Sequence, residues 1–158
     1  MHIDQAEIIL NQWLLEIADH FSLPRLQLNN KFCTLSVDTT SIVIVLKDNA
    51  QQIGLSAYLD FEVNSMNMAH LKTLLSWNYE AKHLNGAKIG MARQANQLTL
   101  SINFDISLLN ANLLLNVIQN FYSTLMHTNT LMQQELAQTP QHSSFNSAVS
   151  ATNDLIKV

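Results

Sequence analysis

The spacing of hydrophobic residues changes several times along the chain, and each change predicts a new element of secondary structure. Near the N-terminus apolar residues recur at steps of three and four, as on one face of a helix, and Pro24 follows as a breaker. The period then falls to two in KFCTLSVD, a continuous β-branched run follows in SIVIVLKD, and QQIGLSAYLD has its apolar residues on one side; short polar turns separate these three segments. A second helical pattern, two strands around a turn near Gln94–Asn96 and a long final helical pattern follow. The predicted elements are a helix over 4–21, strands over 31–38, 41–48 and 51–60, a helix over 66–78, two strands within 85–105 and a helix over 107–138.

The order of these elements, α-β-β-β-α-β-β-α, predicts one α+β domain over residues 1–138 in which helices pack on a twisted antiparallel sheet. Short turns join the first three strands, so an antiparallel meander is the simplest arrangement for them. Residues 139–158 are small, polar and without a period, which predicts a flexible C-terminal tail.

Composition and charge exclude several classes of protein. The chain has 158 residues, of which 47% are hydrophobic and only 13% are charged, so it can form a core. Its net charge of −4 argues against a nucleic-acid partner, which normally requires a basic surface. The sequence has no apolar run long enough to cross a bilayer, no basic segment typical of a signal peptide, and a single cysteine, Cys33. We therefore expect a soluble cytoplasmic protein with no membrane partner.

Sequence motifs that carry chemistry are missing. The three glycines, Gly54, Gly86 and Gly90, are too far apart to form a phosphate-binding loop, and the six histidines show no zinc-like spacing. We therefore expect no catalytic residue, no metal site and no cofactor. A small hydrolase or transferase stays open, because carboxylates that are distant in sequence can converge in space.

The chain has more apolar residues than the core of a small domain requires. The second strand is apolar on both faces, and Ile8 and Leu15 lie outside the predicted core face of the first helix. The final helix carries a main stripe and a second apolar set beside it: Leu109, Leu113, Val117, Phe121 and Leu125 in the stripe, and Leu114, Leu115, Ile118 and Tyr122 beside it. This surplus indicates that another chain covers part of the surface.

Several segments, taken in order, resemble the class I type III secretion chaperones, the CesT/Tir-chaperone family. FSLPRLQLNN, FCTLSVDTTSIVIVLKD and QQIGLSAYLD, which follow the first helix, are similar to the start of that family's domain. The run LKTLLSWNYEAKHLNGAKIGMARQANQLTLSINFD is similar to its most recognisable stretch. There a leucine pair and Asn78 close a helix, and a glycine-containing strand and a strand of alternating aliphatic residues follow. The resemblance covers about residues 4–136.

The resemblance implies partners and an activity. It implies a homodimer without enzymatic activity, in the cytoplasm of a Gram-negative bacterium, that binds the nonglobular N-terminal segment of one or more secreted effectors. Such a chaperone keeps the segment soluble and competent for secretion and hands it to the secretion ATPase. In the family the second helix and the following strand form the dimer interface. In this sequence that implies Leu71, Leu74, Leu75, Trp77, Ile89 and Met91.

Candidate client-binding residues are apolar positions of the first helix and the sheet. An extended client can add a strand to an open sheet edge while its apolar side chains fill pockets. The residues predicted to contact a client are Ile8, Leu15, Cys33, Leu35, Val43, Val45 and Leu55. The sequence leaves open which sheet edge accepts the client. It also leaves an alternative interpretation, a small α+β regulatory or sensory domain that binds a folded protein partner.

Overall fold

The computed structural model describes residues 3–48, 51–80, 82–92 and 94–138, so the predicted tail over 139–158 lies outside the described residues. The helices and strands follow the predicted order, and short 3₁₀ turns at Val63–Ser65 and Ile106–Leu108 precede the second and third helices. The elements are α1 (Ile3–His20), β1 (Phe32–Val37), β2 (Thr40–Leu46), β3 (Gln52–Glu62), α2 (Met68–Glu80), β4 (Lys88–Ala92), β5 (Gln97–Asp105) and α3 (Ala111–Gln138).

The five strands form one antiparallel sheet in the order β1-β2-β3-β5-β4, which confirms the predicted α+β class and the meander of the first three strands. β5 pairs with β3 from Gln52↔Asp105 to Tyr58↔Thr99, and β4 then pairs with the other side of β5. The sheet therefore has two edge strands, β1 on one side and β4 on the other.

One face of the sheet forms the floor of the hydrophobic core. The residues aligned on this face across β1, β2, β3 and β5 are Cys33, Ile44, Leu55 and Ile102. Fully buried leucines of α1 and α3, such as Leu10 and Leu114, belong to the same core, and α3 contacts both β3 and α1. Because side chains alternate along a strand, the next row lies on the opposite face. That row is mainly polar and is not buried: Thr34, Val43, Ser56 and Ser101.

A defined C-terminal cap ends α1 and turns the chain back along it. Ser22 adopts a positive φ of 53°, and the Leu23 N–H donates to the Ala18 carbonyl at 2.9 Å, as in a Schellman motif. Pro24 then prevents the helix from continuing. The returning segment is attached to α1 by a hydrogen bond from the Leu28 N–H to Asn11 Oδ1, at 2.8 Å.

Side-chain caps set the starts of α2 and α3. Asn67 Oδ1 accepts from the His70 N–H at 3.0 Å, and the Asn67 N–H donates to His70 Nδ1 at 3.3 Å, a reciprocal cap in which histidine takes the usual place of glutamate. Asn110 Oδ1 accepts from the Leu113 N–H at 2.9 Å. The prediction of one continuous helix from residue 107 is therefore wrong at its start, because Asn110 begins a new helix after the 3₁₀ turn.

Candidate protein-binding surfaces

An apolar groove lies between the C-terminal end of α1, the second half of β1 and α3. Its cavity volume is about 380 Å³. Ile17, Phe21 and Leu23 form the α1 side, and Leu115 and Ile118 belong to the α3 side. The Schellman cap places Leu23 on this wall, since it turns the chain immediately after α1. We call this cavity the β1 groove.

The edge of β1 next to the groove exposes unpaired backbone groups. The N–H and C=O of Phe32 bond to Asn29 at 3.0 and 2.7 Å, so they point away from β2. Backbone groups alternate in direction along an antiparallel strand, so those of Thr34 and Ser36 point the same way. Within the described residues no backbone group pairs with them, and Ser36 itself lines the β1 groove. This edge can therefore accept two residues of an added strand.

A fixed carboxylate lies at one end of the β1 groove. The Tyr122 hydroxyl donates to Asp38 Oδ2 at 2.8 Å, which joins α3 to the β1–β2 turn. The hydrogen bond to this carboxylate is the main cause that raises the pKa of the Tyr122 phenol above its ordinary value, so the phenol stays a donor at neutral pH. Both side chains line the groove. The groove is therefore apolar along its middle and polar at this end.

The opposite edge of the sheet is partly occupied by a side chain of α2. Asn78 Oδ1 accepts from the Ile89 N–H at 2.7 Å, and Asn78 Nδ2 donates to the Ile89 carbonyl at 2.9 Å. The amide side chain thus satisfies both backbone groups at the second residue of β4 in the way that a neighbouring strand would. Asn78 is the residue that closes this helix in the run that resembles the family. In the structure its side chain forms this pair of hydrogen bonds with the backbone of Ile89.

Exposed apolar side chains follow one face of α2. They recur at helical spacing, and the Leu75 side chain is 68% exposed. We call this row the α2 stripe; its members are Met68, Leu71, Leu75 and Tyr79. Met91 of β4 is also exposed. This surface is large and apolar for a face that no other described part of the chain covers.

The residues predicted for a dimer interface divide into two groups. Leu71, Leu75 and Met91 are exposed, as an interface requires. The other three are buried inside the protomer and belong to its core: Leu74, Trp77 and Ile89. Because these positions on α2 and β4 face inward in the protomer, their burial counts against the prediction that they are direct interface contacts.

The residues predicted to contact a client lie in three separate places. Ile8 and Leu15 are exposed on the side of α1 opposite its buried face, and Ile8 is 68% exposed. Val43 and Val45 are partly exposed on the open face of the sheet, where Phe32 pairs with Val45. The remaining three are core residues, with exposed fractions of 6% or less: Cys33, Leu35 and Leu55.

Strand alternation explains why these three positions are buried, and it counts against Cys33 and Leu55 as direct client contacts. The apolar row of a half-covered strand faces the helices, so Cys33 and Leu55 are not available to another chain. Burial raises the pKa of the Cys33 thiol, although a hydrogen bond from the Gln27 backbone opposes this shift. Leu35 contributes to the surface only where it forms part of the wall of the β1 groove.

Sequence reasoning missed most of the groove. Phe21 is 44% exposed and lines the groove with Leu23 and Asp38, and none of these three residues is in the predicted client-binding set. A signal for the groove was nevertheless present, because the second apolar set of α3 includes Leu115 and Tyr122, which line it.

No helix within the described ranges is long and apolar enough to cross a membrane. In the same part of the chain, no three His, Cys, Asp or Glu side chains come together as a metal site.

Solved structures with the same fold are complexes of secretion chaperones and related proteins. A chain in the crystal structure of the ExsC–ExsE complex is 17% identical with a TM-score of 0.66, over 82% of this chain and 95% of that one. A chain in the HopA1–SchA chaperone–effector complex is 10% identical with a TM-score of 0.65, over 82% and 97%. A chain in the heterodimeric ExoU–SpcU complex from the type III secretion system of Pseudomonas aeruginosa is 15% identical with a TM-score of 0.58, over 82% and 99%. At these identities the similarity shows the fold.

The family follows from the sequence itself. Among curated proteins no relative matches the chain. The sequence does match the profile of the Tir chaperone protein (CesT) family over residues 12–129, which is most of the chain and runs from within α1 to within α3. The chain therefore belongs to the Tir chaperone protein (CesT) family and is an effector-binding chaperone of type III secretion.

Proposed function

We propose that this chaperone acts as a cytoplasmic homodimer. It binds the nonglobular N-terminal segment of one or more secreted effectors, keeps it extended and soluble, and passes it to the secretion ATPase. It does so by binding alone, without catalysing a reaction. The client segment binds first at the β1 groove.

The observation that carries this proposal is the open half of β1 beside the groove. A client strand that pairs with Thr34 and Ser36 gains backbone hydrogen bonds that the chain itself leaves unmade. Its inward side chains enter a groove that already has apolar walls. The β4 edge is less suitable, since Asn78 holds the backbone groups of Ile89.

A single groove of this size binds only a few client residues, and a longer client needs further contacts. The exposed members of the predicted set supply them in this proposal: Ile8, Leu15, Val43 and Val45. Ordering a disordered client costs conformational entropy that a short segment does not offset, so an extended contact over several patches is the usual solution.

The α2 stripe, with Met91, supports the homodimer. These side chains are apolar and exposed, and a symmetric contact between two copies would remove them from water. In a twofold dimer the same surface serves both protomers, so the two β1 grooves lie outside the contact and stay open for the client. This arrangement uses the two edges of the sheet for two different partners.

Co-expression with the proteins encoded beside its gene tests the proposal. Light scattering measures the molar mass of each purified complex, and limited proteolysis then shows which partner segment the chaperone binds. The expected result is two copies of the chaperone with one partner whose N-terminal segment is extended. A monomer, or a dimer that captures only folded partners, contradicts the proposal and favours the regulatory domain.

A pair of matched variants locates the site within the same experiment. Leu23→Asp places a charge in the wall of the β1 groove, whereas Leu108→Asp places one at an exposed leucine of the 3₁₀ turn, away from the groove. We expect Leu23→Asp to weaken partner binding by about tenfold or more, because it puts a charge into an apolar contact. Leu108→Asp is expected to bind normally. Equal binding by both variants contradicts the groove as the client site.

A further inference from the structure

We propose that the β1 groove prefers client segments with a basic residue, Lys or Arg, near a pair of apolar residues. The two apolar residues are separated by one residue (apolar-x-apolar), and the basic residue lies two positions after the second or two positions before the first. This inference rests on the proposed function, because it takes an extended client at the β1 edge as its starting point. It adds the chemistry by which the chaperone chooses among such clients.

The carboxylate of Asp38 is the group that recognises the basic residue. Among the described residues, it is the only charged side chain that lines the β1 groove. The Tyr122 hydroxyl holds its Oδ2 at 2.8 Å, so the carboxylate has a fixed position and the second oxygen is left for another donor. A hydrogen bond from a neutral phenol does not cancel the negative charge.

No cation of the described chain neutralises Asp38. The ion pairs among the described residues join Lys31 to Asp48 and Lys82 to Glu80, at 2.7 and 2.9 Å, and neither involves the groove. The overall charge of the chain is also negative. An unpaired carboxylate beside an apolar surface attracts a positive group more strongly than one that is free in solvent.

The register of an added strand brings a client side chain to this position. A client strand beside Thr34 and Ser36 directs every second side chain to the core face, next to Leu35 and then Val37. Both of these residues line the groove, which accounts for the apolar-x-apolar pair. The next client side chain that points inward lies beyond Val37, beside the turn at Asp38, where the groove becomes polar.

The direction of the client fixes only the order of the pattern. A strand parallel to β1 reads apolar-x-apolar-x-basic, and an antiparallel strand reads basic-x-apolar-x-apolar. Phe32 is already paired with Asn29, so the register cannot slide past the start of β1. The basic residue is therefore confined to one end of the motif.

A phage-displayed library of random linear peptides, selected on the full-length protein, tests this preference. The same selection is made on Asp38→Asn and on Asp105→Asn. Asparagine tolerates the positive φ of 51° at position 38 and keeps an oxygen for Tyr122, so the first variant removes the charge and preserves the turn. Asp105→Asn removes one charge at the opposite end of the sheet, where its side chain caps a 3₁₀ turn.

We expect the wild type and Asp105→Asn to enrich Lys and Arg two residues from the apolar pair by about two- to fivefold, the size of an exposed ion pair. Asp38→Asn should select the same apolar pairs without the basic residue. A selection in about 1 M salt should also lose the preference, since screening then acts within about 3 Å.

The other outcomes separate this inference from the proposed function. Apolar pairs without a basic preference on the wild type, or a preference that persists on Asp38→Asn, overturn the inference and leave the groove as the client site. Peptides that bind Ser36→Pro as well as the wild type do not use the β1 edge, and that result overturns both.

Discussion

Both edges of the sheet have backbone N–H and C=O groups that point away from the sheet, but different parts of the chain lie beside them. At β1 the unpaired backbone groups of Thr34 and Ser36 face open space beside an apolar groove. At β4 the corresponding groups of Ile89 are hydrogen-bonded to the side chain of Asn78. An exposed edge strand is a risk for aggregation, and proteins usually cover or interrupt it. This chaperone covers one edge and leaves the other usable.

This difference supports the proposal that one small domain binds both a second copy and a client. The β4 edge is next to the α2 stripe, which is suited to a second copy of the chain. The β1 edge is next to the groove, which is suited to an extended client. Four variants test this division.

Charges in the α2 stripe should separate the dimer. Leu71→Asp with Leu75→Asp puts two carboxylates into the proposed contact, and we expect a loss on the order of 4 kcal/mol, or about a thousandfold in dimer affinity. Light scattering on the purified chain should then show a monomer. Leu108→Asp with Leu113→Asp, at two other exposed leucines, is the matched control and should stay dimeric. A dimeric stripe variant means that another surface makes the contact.

Removing the Asn78 side chain should uncover the β4 edge and destabilise the fold. Asn78→Ala leaves the N–H and C=O of Ile89 without partners, and we expect a loss of about 1–3 kcal/mol in the free energy of unfolding, measured with urea. Asn116→Ala, at an exposed position of α3, controls for the gain in helix propensity. Equal stability of the two variants would show that Asn78 contributes little to closing this edge.

Blocking the β1 edge should weaken client binding without affecting the dimer. Ser36→Pro removes the edge-facing N–H, and proline is tolerated on the unpaired side of an edge strand. We expect partner affinity to fall about tenfold, which is about 1.4 kcal/mol. Ser36→Val keeps the N–H and should bind normally. If Ser36→Pro does not fold, as judged by its thermal melt, Thr34→Pro removes the other edge-facing N–H.

The contact between Tyr122 and Asp38 should be visible in a pH titration. Because the pKa of the Tyr122 phenol is raised, one of the three tyrosines should ionise at a higher pH than an ordinary phenol. The stability that this hydrogen bond contributes is complete below the ordinary pKa and is lost as the pH rises through the raised one. Absorbance of the phenolate measures the titration, and Asp38→Asn should lower that pKa. A titration that does not change in the variant contradicts the contact.

The class of the fold and the order of its elements could be predicted from the sequence because most elements have a clear period. The alternation in β1, the β-branched run of β2 and the polar turns between strands predicted the meander correctly. The position of β5 between β3 and β4 could not be predicted, because the choice of partner depends on contacts that are distant in sequence.

The binding residues were harder to predict because apolar residues look alike whether they form core or contact surface. Leu74 and Leu75 are neighbours, yet one is buried and the other is exposed, which depends on the exact rotation of α2. In α3, Leu113 of the predicted stripe is exposed, and the buried row begins with Leu114 and Ile118 of the second set before it joins the predicted stripe at Phe121 and Leu125. Both rows are apolar, so the pattern alone does not choose between them.

The groove is an example of a site that no single segment contains. Its walls come from the end of α1, from β1 and from the first half of α3, and the residues Phe21, Asp38 and Tyr122 are far apart in sequence. Only the packing of α1 against α3 brings these segments together.

Amide hydrogen exchange of the β1 edge tests the central claim most directly. It is measured by NMR on the full-length chaperone, free and bound to a peptide selected from the library. The account predicts that the N–H groups of Thr34 and Ser36 exchange at least about tenfold more slowly in the complex, because a client strand then accepts their hydrogen bonds. Unchanged exchange at these two residues, with new protection at Met91 on the β4 edge, would contradict it.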